Sequence, residues 1–197
     1  MHRFISTLLL MVLLAAPGLA QGSAWTLDAA HSRVGFSVRH LGISNVTGEF
    51  TRVSGQGTFD GKSIETASVT ATIDTTSVNT REAKRDDHLR NADFLDVARY
   101  PTMTFKSKRF RKTSGNGFAL TGDLTLHGVT RTVVLNGTST PVVKDPWGSS
   151  RVGASATTTI NRKDFGLTWN KALESGGLVV AEEVTITLDL EFVRDAK

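Results

Sequence analysis

The chain has 197 residues, a formal net charge of +4 at pH 7 and no cysteine. The absence of cysteine excludes disulfides, zinc–cysteine centres, thiol nucleophiles and a lipid-modified N-terminal cysteine. With 23 basic and 19 acidic residues, the positive excess is too small to indicate a nucleic-acid-binding protein.

Residues 1–20 have the pattern of a secretory signal peptide. His2 and Arg3 give a basic start, an apolar run follows over 4–16, and small residues precede Gln21. The apolar run of about thirteen residues is shorter than the roughly twenty that a membrane-spanning helix needs. We therefore expect cleavage near Gln21, a periplasmic or secreted location, and one domain over 21–197.

Most of the remaining chain alternates between apolar and polar residues, as a strand with two different faces does. In the first such segment, Val34, Phe36 and Val38 alternate with polar residues. The later segments that alternate or are dotted with glycine are 46–59, 68–73, 102–108, 118–126, 133–135, 152–160 and 184–192.

These segments amount to eight strands with turn residues, such as His127-Gly128, between several of them. Eight strands without crossover helices predict an all-β fold, an eight-stranded antiparallel lipocalin-like barrel. Such a barrel is filled by its own side chains or holds one slender ligand, and the pattern alone leaves both open.

Two segments break the alternation. Residues 80–90 are rich in helix formers, and 162–175 predict a second helical turn before Gly176-Gly177. On a helix over 80–90, Arg81, Arg85 and His88 share one face. That face is either a clamp for a phosphorylated or polar headgroup or a solvated surface paired with neighbouring acidic residues.

Residues 106–112 form a locally basic stretch before the glycine-containing turn at 114–117. This stretch is either a solvated strand end or a segment that contacts anionic lipid headgroups.

The sequence offers little catalytic or metal-binding chemistry. It contains no nucleophile elbow, zincin motif or phosphate-binding loop. His31 and His40 point to opposite faces if they share one straight strand, and His88 and His127 have no local ligand pair. The sequence leaves open a carboxylate pair formed in space, for instance by Asp28 and Asp164. We predict no catalytic residue, no metal and no cofactor.

A set of short motifs then appears in a fixed order. They are Trp25-x-Leu27-Asp28-x-x-His31-Ser32, Phe36-Ser37-Val38-Arg39-His40-Leu41-Gly42, Gly48-x-Phe50, Arg85-Asp86-x-His88-Leu89, Asp93-Phe94-Leu95-Asp96, Tyr100-Pro101, Phe105-x-Ser107, Gly122-Asp123-Leu124-Thr125-Leu126-x-Gly128 and Asn161-Arg162-x-Asp164-Phe165-Gly166.

On these motifs, the sequence resembles the YceI-like family of bacterial periplasmic polyisoprenoid-binding proteins, over essentially all of 21–197. The resemblance implies a barrel whose interior holds the isoprenoid tail of a polyprenyl phosphate or diphosphate, or of a quinone, with no cofactor and no turnover. Stress-related partner binding and an enzyme acting on a hydrophobic substrate remain as alternatives. Transient contact with an anionic membrane is a further expectation, nucleic acid is not expected, and the oligomeric state is open, with a homodimer as one option.

Within that expectation, we assign the ligand contacts ourselves. Apolar positions on the strands and in the loops are predicted to bind the tail: Phe36, Val38, Phe50, Phe94, Phe105, Leu124, Leu126, Phe165, Trp169 and Leu188. Basic positions are predicted to bind the head: His40, Arg81, Arg85, His88 and Arg162.

Overall fold

The computed structural model describes residues 23–174 and 176–194. The predicted signal peptide at 1–20 lies outside the described residues. The strands are β1 (Ser23–Leu27), β2 (Arg33–His40), β3 (Ser44–Phe50), β4 (Val53–Phe59), β5 (Ser68–Asp74), β6 (Val78–Asn79), β7 (Thr102–Lys112), β8 (Gly117–Leu126), β9 (Val129–Ser139), β10 (Val143–Lys144), β11 (Ser150–Asn161) and β12 (Val180–Arg194).

One α-helix, α1 (Ala83–Arg90), and four 3-10 helices accompany the strands in the described part of the chain. The 3-10 helices are Ala29–His31, Ile64–Thr66, Thr75–Ser77 and Arg162–Phe165. In the same described part, no helix is both long and apolar enough to cross a membrane.

The long strands close into a barrel of eight antiparallel staves, as predicted. β1 and β2 both pair with β12. β4 pairs with β1, and β3 pairs with β2. β1–β2 and β3–β4 therefore each act as one interrupted stave. The other staves are β5, β7, β8, β9, β11 and β12, each paired with its neighbour in chain order. Pairing of β12 with both β11 and the first stave closes the barrel.

The barrel has two ends, which we name by the elements that lie there. The α1 end carries α1, the loop after it and the 3-10 helix Arg162–Phe165. The hairpin end carries the β7–β8 turn and the connection from β9 to β11, which touch through a hydrogen bond from Ser139 N to Asn116 O (3.0 Å). The β8–β9 turn at the α1 end uses His127 and Gly128 at φ of 52° and 73°, the conformation of a two-residue hairpin turn that matches strand twist.

Both predicted helical segments are present, with different limits. The α-helix begins at Ala83, so Arg81 precedes it, at a φ of 65°. The second segment is a single 3-10 helix, Arg162–Phe165, that ends at Gly166 in the left-handed conformation.

The inward side chains do not fill the barrel. Buried side chains form one cluster near the α1 end, around Leu95, Met103 and Phe165, and a second near the hairpin end, around Phe110 and Phe118. Between the ends, inward-facing residues of β12 such as Ile186 and Leu188 are only half-buried, because they border open space. Of the two options that the sequence left open, the structure has the hollow barrel.

Candidate functional site

A cavity of about 310 Å3 occupies the interior of the barrel. β12 alone lines it from Val180 to Phe192, about 40 Å of strand, which the tilt of barrel strands shortens to about 30 Å along the axis. That volume spread over that length describes a narrow channel, wide enough for one slender chain.

The channel wall is almost entirely apolar. Every stave contributes alternate side chains to it, as the period of two requires. Small residues, among them Gly55, Ala71, Ala154 and Ala156, line part of the wall and leave room along the axis. The polar residues that line the wall are Thr58, Ser68, Ser139, Thr158 and Arg162. The hydroxyls of Thr58 and Ser68 bond each other on the exposed face.

At the α1 end, two segments line the channel. Leu89 of α1 and Phe94 of the following loop form one side, and Leu167 after the 3-10 helix forms the other. Trp169 joins the two sides, because its ring lies 5.0 Å from the rings of both His88 and Phe94.

At the hairpin end, Trp25 lines the channel. Its side chain is 2% exposed, and its indole N–H donates to Phe59 O at 3.2 Å. The Arg194 guanidinium lies 4.9 Å from the Trp25 ring centre and donates to Ser23 Oγ and Ser150 Oγ. Trp25 was not among the predicted tail residues, although Trp25-x-Leu27 carries the alternation that points a side chain inward.

Arg162 is the charged residue in the channel wall, and it is 4% exposed. Its guanidinium donates to three backbone carbonyls, those of Ala181 (3.0 Å), Leu167 and Val180 (3.5 Å). No carboxylate forms an ion pair with it within the described residues. Burial lowers the pKa of Arg162, and the charge of Glu182, which itself pairs with Lys163, opposes that shift.

A guanidinium has five N–H donors, and three carbonyls do not use all of them. A buried cation without a paired anion is energetically costly. The α1 end of the channel is therefore suited to a group that brings acceptor oxygens.

The predicted tail residues fall into two groups. Eight of them line the channel: Phe36, Val38, Phe50, Phe94, Phe105, Leu124, Leu126 and Leu188. Phe165 is buried in the α1-end cluster, and Trp169 packs behind Phe94; neither lines the channel.

The predicted head residues are not brought together. Arg162 alone of the five lies in the channel wall. Arg85 donates to Thr80 Oγ1 (2.7 Å) and Thr80 O (2.9 Å), and His88 pairs with Asp93 at 2.9 Å.

Arg81 and His40 lie apart from the channel wall as well. Because Arg81 precedes the helix, Arg81, Arg85 and His88 do not share a helical face, which corrects the expected clamp. The cause is local: Asp86, buried at 7% exposure, accepts from Thr80 N (2.8 Å) and from its hydroxyl, which holds residue 80 outside the helix.

A cluster of titratable groups lies on the outer face, away from the channel. Carboxylate and imidazole atoms of Asp28, His31 and Glu191 approach within 4.8 Å of one another. The Arg151 guanidinium already occupies this cluster, since Nη1 donates to Asp28 (2.8 Å) and to Glu191, and Nε donates to Asp145 (2.8 Å). The cluster is therefore an ion-pair network that ties β11 and its preceding turn to β12 and the end of β1.

The suggested pair of Asp28 and Asp164 does not form. Asp28 contacts Arg151 at the start of β11, and Asp164 lies in the 3-10 helix that follows the end of β11. The length of the strand separates the two carboxylates.

Comparison with known proteins places this geometry among related chains. The family model described as "YceI-like domain" matches residues 25–192. A UPF0312 protein of Ectopseudomonas mendocina is 38% identical over 191 residues, covering 94% of this chain and 97% of the relative.

Two solved structures share the fold. The YceI protein of Campylobacter jejuni has a TM-score of 0.70 and 34% identity, over 86% of this chain and 97% of that one. A domain of Saccharophagus degradans described as polyisoprenoid binding has a TM-score of 0.64 and 20% identity, over 87% of this chain and 98% of that one.

The Arg151 network predicts a specific acid sensitivity. Hydrogen bonds from His31 and from Arg151 lower the pKa of Asp28 from 3.8 to about 2. A carboxyl group whose pKa is lower in the folded state stabilises the fold above its unfolded pKa, and this contribution is lost as the pH falls through the folded value. Asp28→Asn should therefore reduce the loss of stability between pH 3.8 and about 2, as measured by urea unfolding across that range.

Asp164→Asn is the matched control, because Asp164 is exposed and lies outside the network. An acid dependence that is the same in Asp28→Asn and in the unmodified protein would contradict the assignment.

Proposed function

The chain belongs to the YceI-like family, and we propose that it is a binding protein that carries one isoprenoid lipid inside its barrel. The observation that carries the proposal is the apolar channel, which runs along the barrel interior and is too narrow for a two-tailed lipid. The described polyisoprenoid binding of the Saccharophagus domain supports the same ligand class.

The channel matches the energetic needs of an isoprenoid tail. Each buried carbon contributes roughly 0.8 kcal/mol, so each five-carbon unit contributes on the order of 4 kcal/mol before the tail loses its freedom. A few units therefore suffice for tight binding without any polar contact. This explains why an almost wholly apolar wall is adequate for the tail.

The head of the lipid is proposed to lie at the α1 end, beside Arg162. A quinone carbonyl and a phosphate oxygen both accept hydrogen bonds from a guanidinium. The unused N–H groups of Arg162 would then be satisfied by the ligand, while the bonds to Leu167, Val180 and Ala181 hold the guanidinium in place.

The channel is tested by filling it. Ala156→Phe places a ring in the lumen, whereas Thr159→Phe places the same ring on the exposed face of the same strand. We expect the protein purified without detergent to release an isoprenoid lipid on extraction, as identified by mass spectrometry. Thr159→Phe should retain it, and Ala156→Phe should lose it while staying folded, at a cost of about 1–3 kcal/mol in stability.

Retention of lipid by Ala156→Phe would contradict an interior site. A protein that releases no lipid and takes up none would favour partner binding, and one that converts added isoprenoid to a product would favour an enzyme.

The head position is tested at Arg162. Arg162→Met should lower affinity for an isoprenoid quinone or polyprenyl phosphate by about tenfold to a hundredfold, the value of a hydrogen bond to a charged group. Affinity for squalene, an isoprenoid without a head, should be unchanged. Binding is measured by titration of each lipid from cyclodextrin.

Asn170→Ala is the matched control, because Asn170 holds the same loop: its Nδ2 donates to Val180 O, and its Oδ1 accepts from Val180 N. It loosens the loop without removing the cation. Equal losses for both lipids in Arg162→Met, or the same selective loss in Asn170→Ala, would refute a head contact.

The proposed carrier acts in the periplasm, on the basis of the signal pattern at residues 1–20. N-terminal sequencing of the protein from a periplasmic fraction should begin near Gln21. Recovery only from the cytoplasm with residues 1–20 retained would contradict export.

A further inference from the structure

Trp147 projects from the hairpin end of the barrel. Its side chain is 83% exposed, the highest exposure among the large apolar residues described, and nearby Val143 is 57% exposed. Both lie in the connection between β9 and β11. Exposed apolar side chains that lie near one another mark a candidate interaction site.

The turn that carries Trp147 is held in one shape. Asp145 Oδ1 accepts from Trp147 N (3.0 Å) and from Ser149 N (2.9 Å), and Asp145 N donates to Ser149 O (2.9 Å). Arg151 Nε fixes the other oxygen of Asp145 at 2.8 Å and connects it to the ion-pair network described above. Trp147 is therefore presented by a preorganised turn, so that little conformational entropy is lost when it is covered.

Exposed cations lie at the same end of the barrel as this tryptophan. Lys144 precedes the turn, and Arg109, Arg111 and Lys112 lie at the end of β7; all four are exposed. None of them forms an ion pair within the described residues. Because only β8 and β9 separate β7 from β11, the cations of β7 lie about 15 Å from the Trp147 turn.

Within the described residues, the acidic groups nearby include Asp60, Glu65 and Asp145, together with Asp28 and Glu191, which accept from Arg151. Asp145 is paired with Arg151, Asp60 accepts from two backbone N–H groups of its own turn, and Glu65 accepts from Lys112 N.

The α1 end also exposes an aliphatic side chain and carries cations of its own. Ile43 is 75% exposed there. Arg81 and Lys84 form no ion pair within the described residues, but they lie beside the acids of segment 82–87. Trp147 is the aromatic member of the exposed large apolar side chains described, so the combination of a projecting aromatic ring with exposed cations distinguishes the hairpin end.

We propose that the hairpin end docks on the surface of an anionic lipid bilayer, with the Trp147 ring at the level of the headgroups and Lys144, Arg109, Arg111 and Lys112 against their phosphates. Tryptophan is enriched at membrane–water interfaces, and each basic residue near an anionic bilayer strengthens the attraction. A second copy of the chain is a poorer occupant, because a symmetric dimer through this patch would bring like charges together.

The docking surface concerns the same protein as the proposed lipid carrier but does not depend on it. Vesicle binding needs no ligand in the channel. Ala156→Phe, which fills the channel and excludes the lipid, should bind vesicles normally. Variants that lose docking should still take up lipid from cyclodextrin. Vesicle binding and lipid uptake therefore test the two proposals independently.

The experiment is co-sedimentation of the purified protein with vesicles of phosphatidylcholine containing phosphatidylglycerol, compared with phosphatidylcholine alone. We expect binding to the anionic vesicles that weakens with added salt and a blue shift of tryptophan emission. Trp147→Ser should weaken binding by about tenfold. Arg111→Glu combined with Lys112→Glu should weaken it by more than about twentyfold, at about fivefold for each cation lost.

The matched controls lie at the α1 end: Ile43→Ser for the apolar change and Arg81→Glu with Lys84→Glu for the charge change. Both should bind like the unmodified protein. Absence of binding to anionic vesicles, or equal losses in the variants and their controls, would overturn the proposal. The proposal would also be overturned if sedimentation velocity without vesicles showed that Trp147→Ser breaks a dimer, because the patch would then be a contact between copies.

Discussion

The property on which the rest of the structure depends is a closed barrel that its own side chains do not fill. Closure removes the sheet edges, and eight staves set a radius at which large inward side chains would meet on the axis. Ala71, Ala154 and Ala156 line the channel in place of such side chains, so space remains. A hollow interior forfeits packing energy, and a ligand that binds only the folded state returns stability to it. Ligand binding and fold stability are therefore linked through the same residues.

The two ends differ in the chemistry of the residues that line them. At the hairpin end, Trp25 supplies an aromatic cover with its single donor satisfied by Phe59 O. At the α1 end, Arg162 brings a charge into the wall and uses it to gather the carbonyls of Leu167, Val180 and Ala181. Those bonds tie the loop after the 3-10 helix to the start of β12. Arg162 therefore stabilises the local fold of this end, and it is also the only charged residue in the channel wall among the described residues.

Sequence reasoning was effective where the determining pattern is local. Alternation of apolar and polar residues along 184–192 fixes which side chains of β12 face inward. Eight of the ten predicted tail positions, most of them on alternating strands, line the channel. It was less effective where the answer depends on partners far along the chain. Helix propensity cannot show that Thr80 is held by Asp86, which moves Arg81 off the helix. The environment of Arg162 depends on carbonyls of β12, and the hollow interior depends on the sizes of side chains from all staves together, which no single segment reveals.

The proposed positions of the head and of the membrane surface constrain each other. A lipid in a bilayer has its head at the surface and its tail in the hydrocarbon interior. If the hairpin end faces the bilayer, the head enters the channel first and travels to Arg162 at the far end, while the tail follows and fills the wall behind it. The head must then cross an apolar channel, where an ionised group loses its hydration without a paired charge. A diphosphate would lose far more hydration on this path than a neutral quinone, whereas both accept hydrogen bonds from Arg162 on arrival. If the proposed lipid loads from the hairpin end, the energy of that path favours a neutral head over an ionised one, whereas the final contact with Arg162 does not distinguish them.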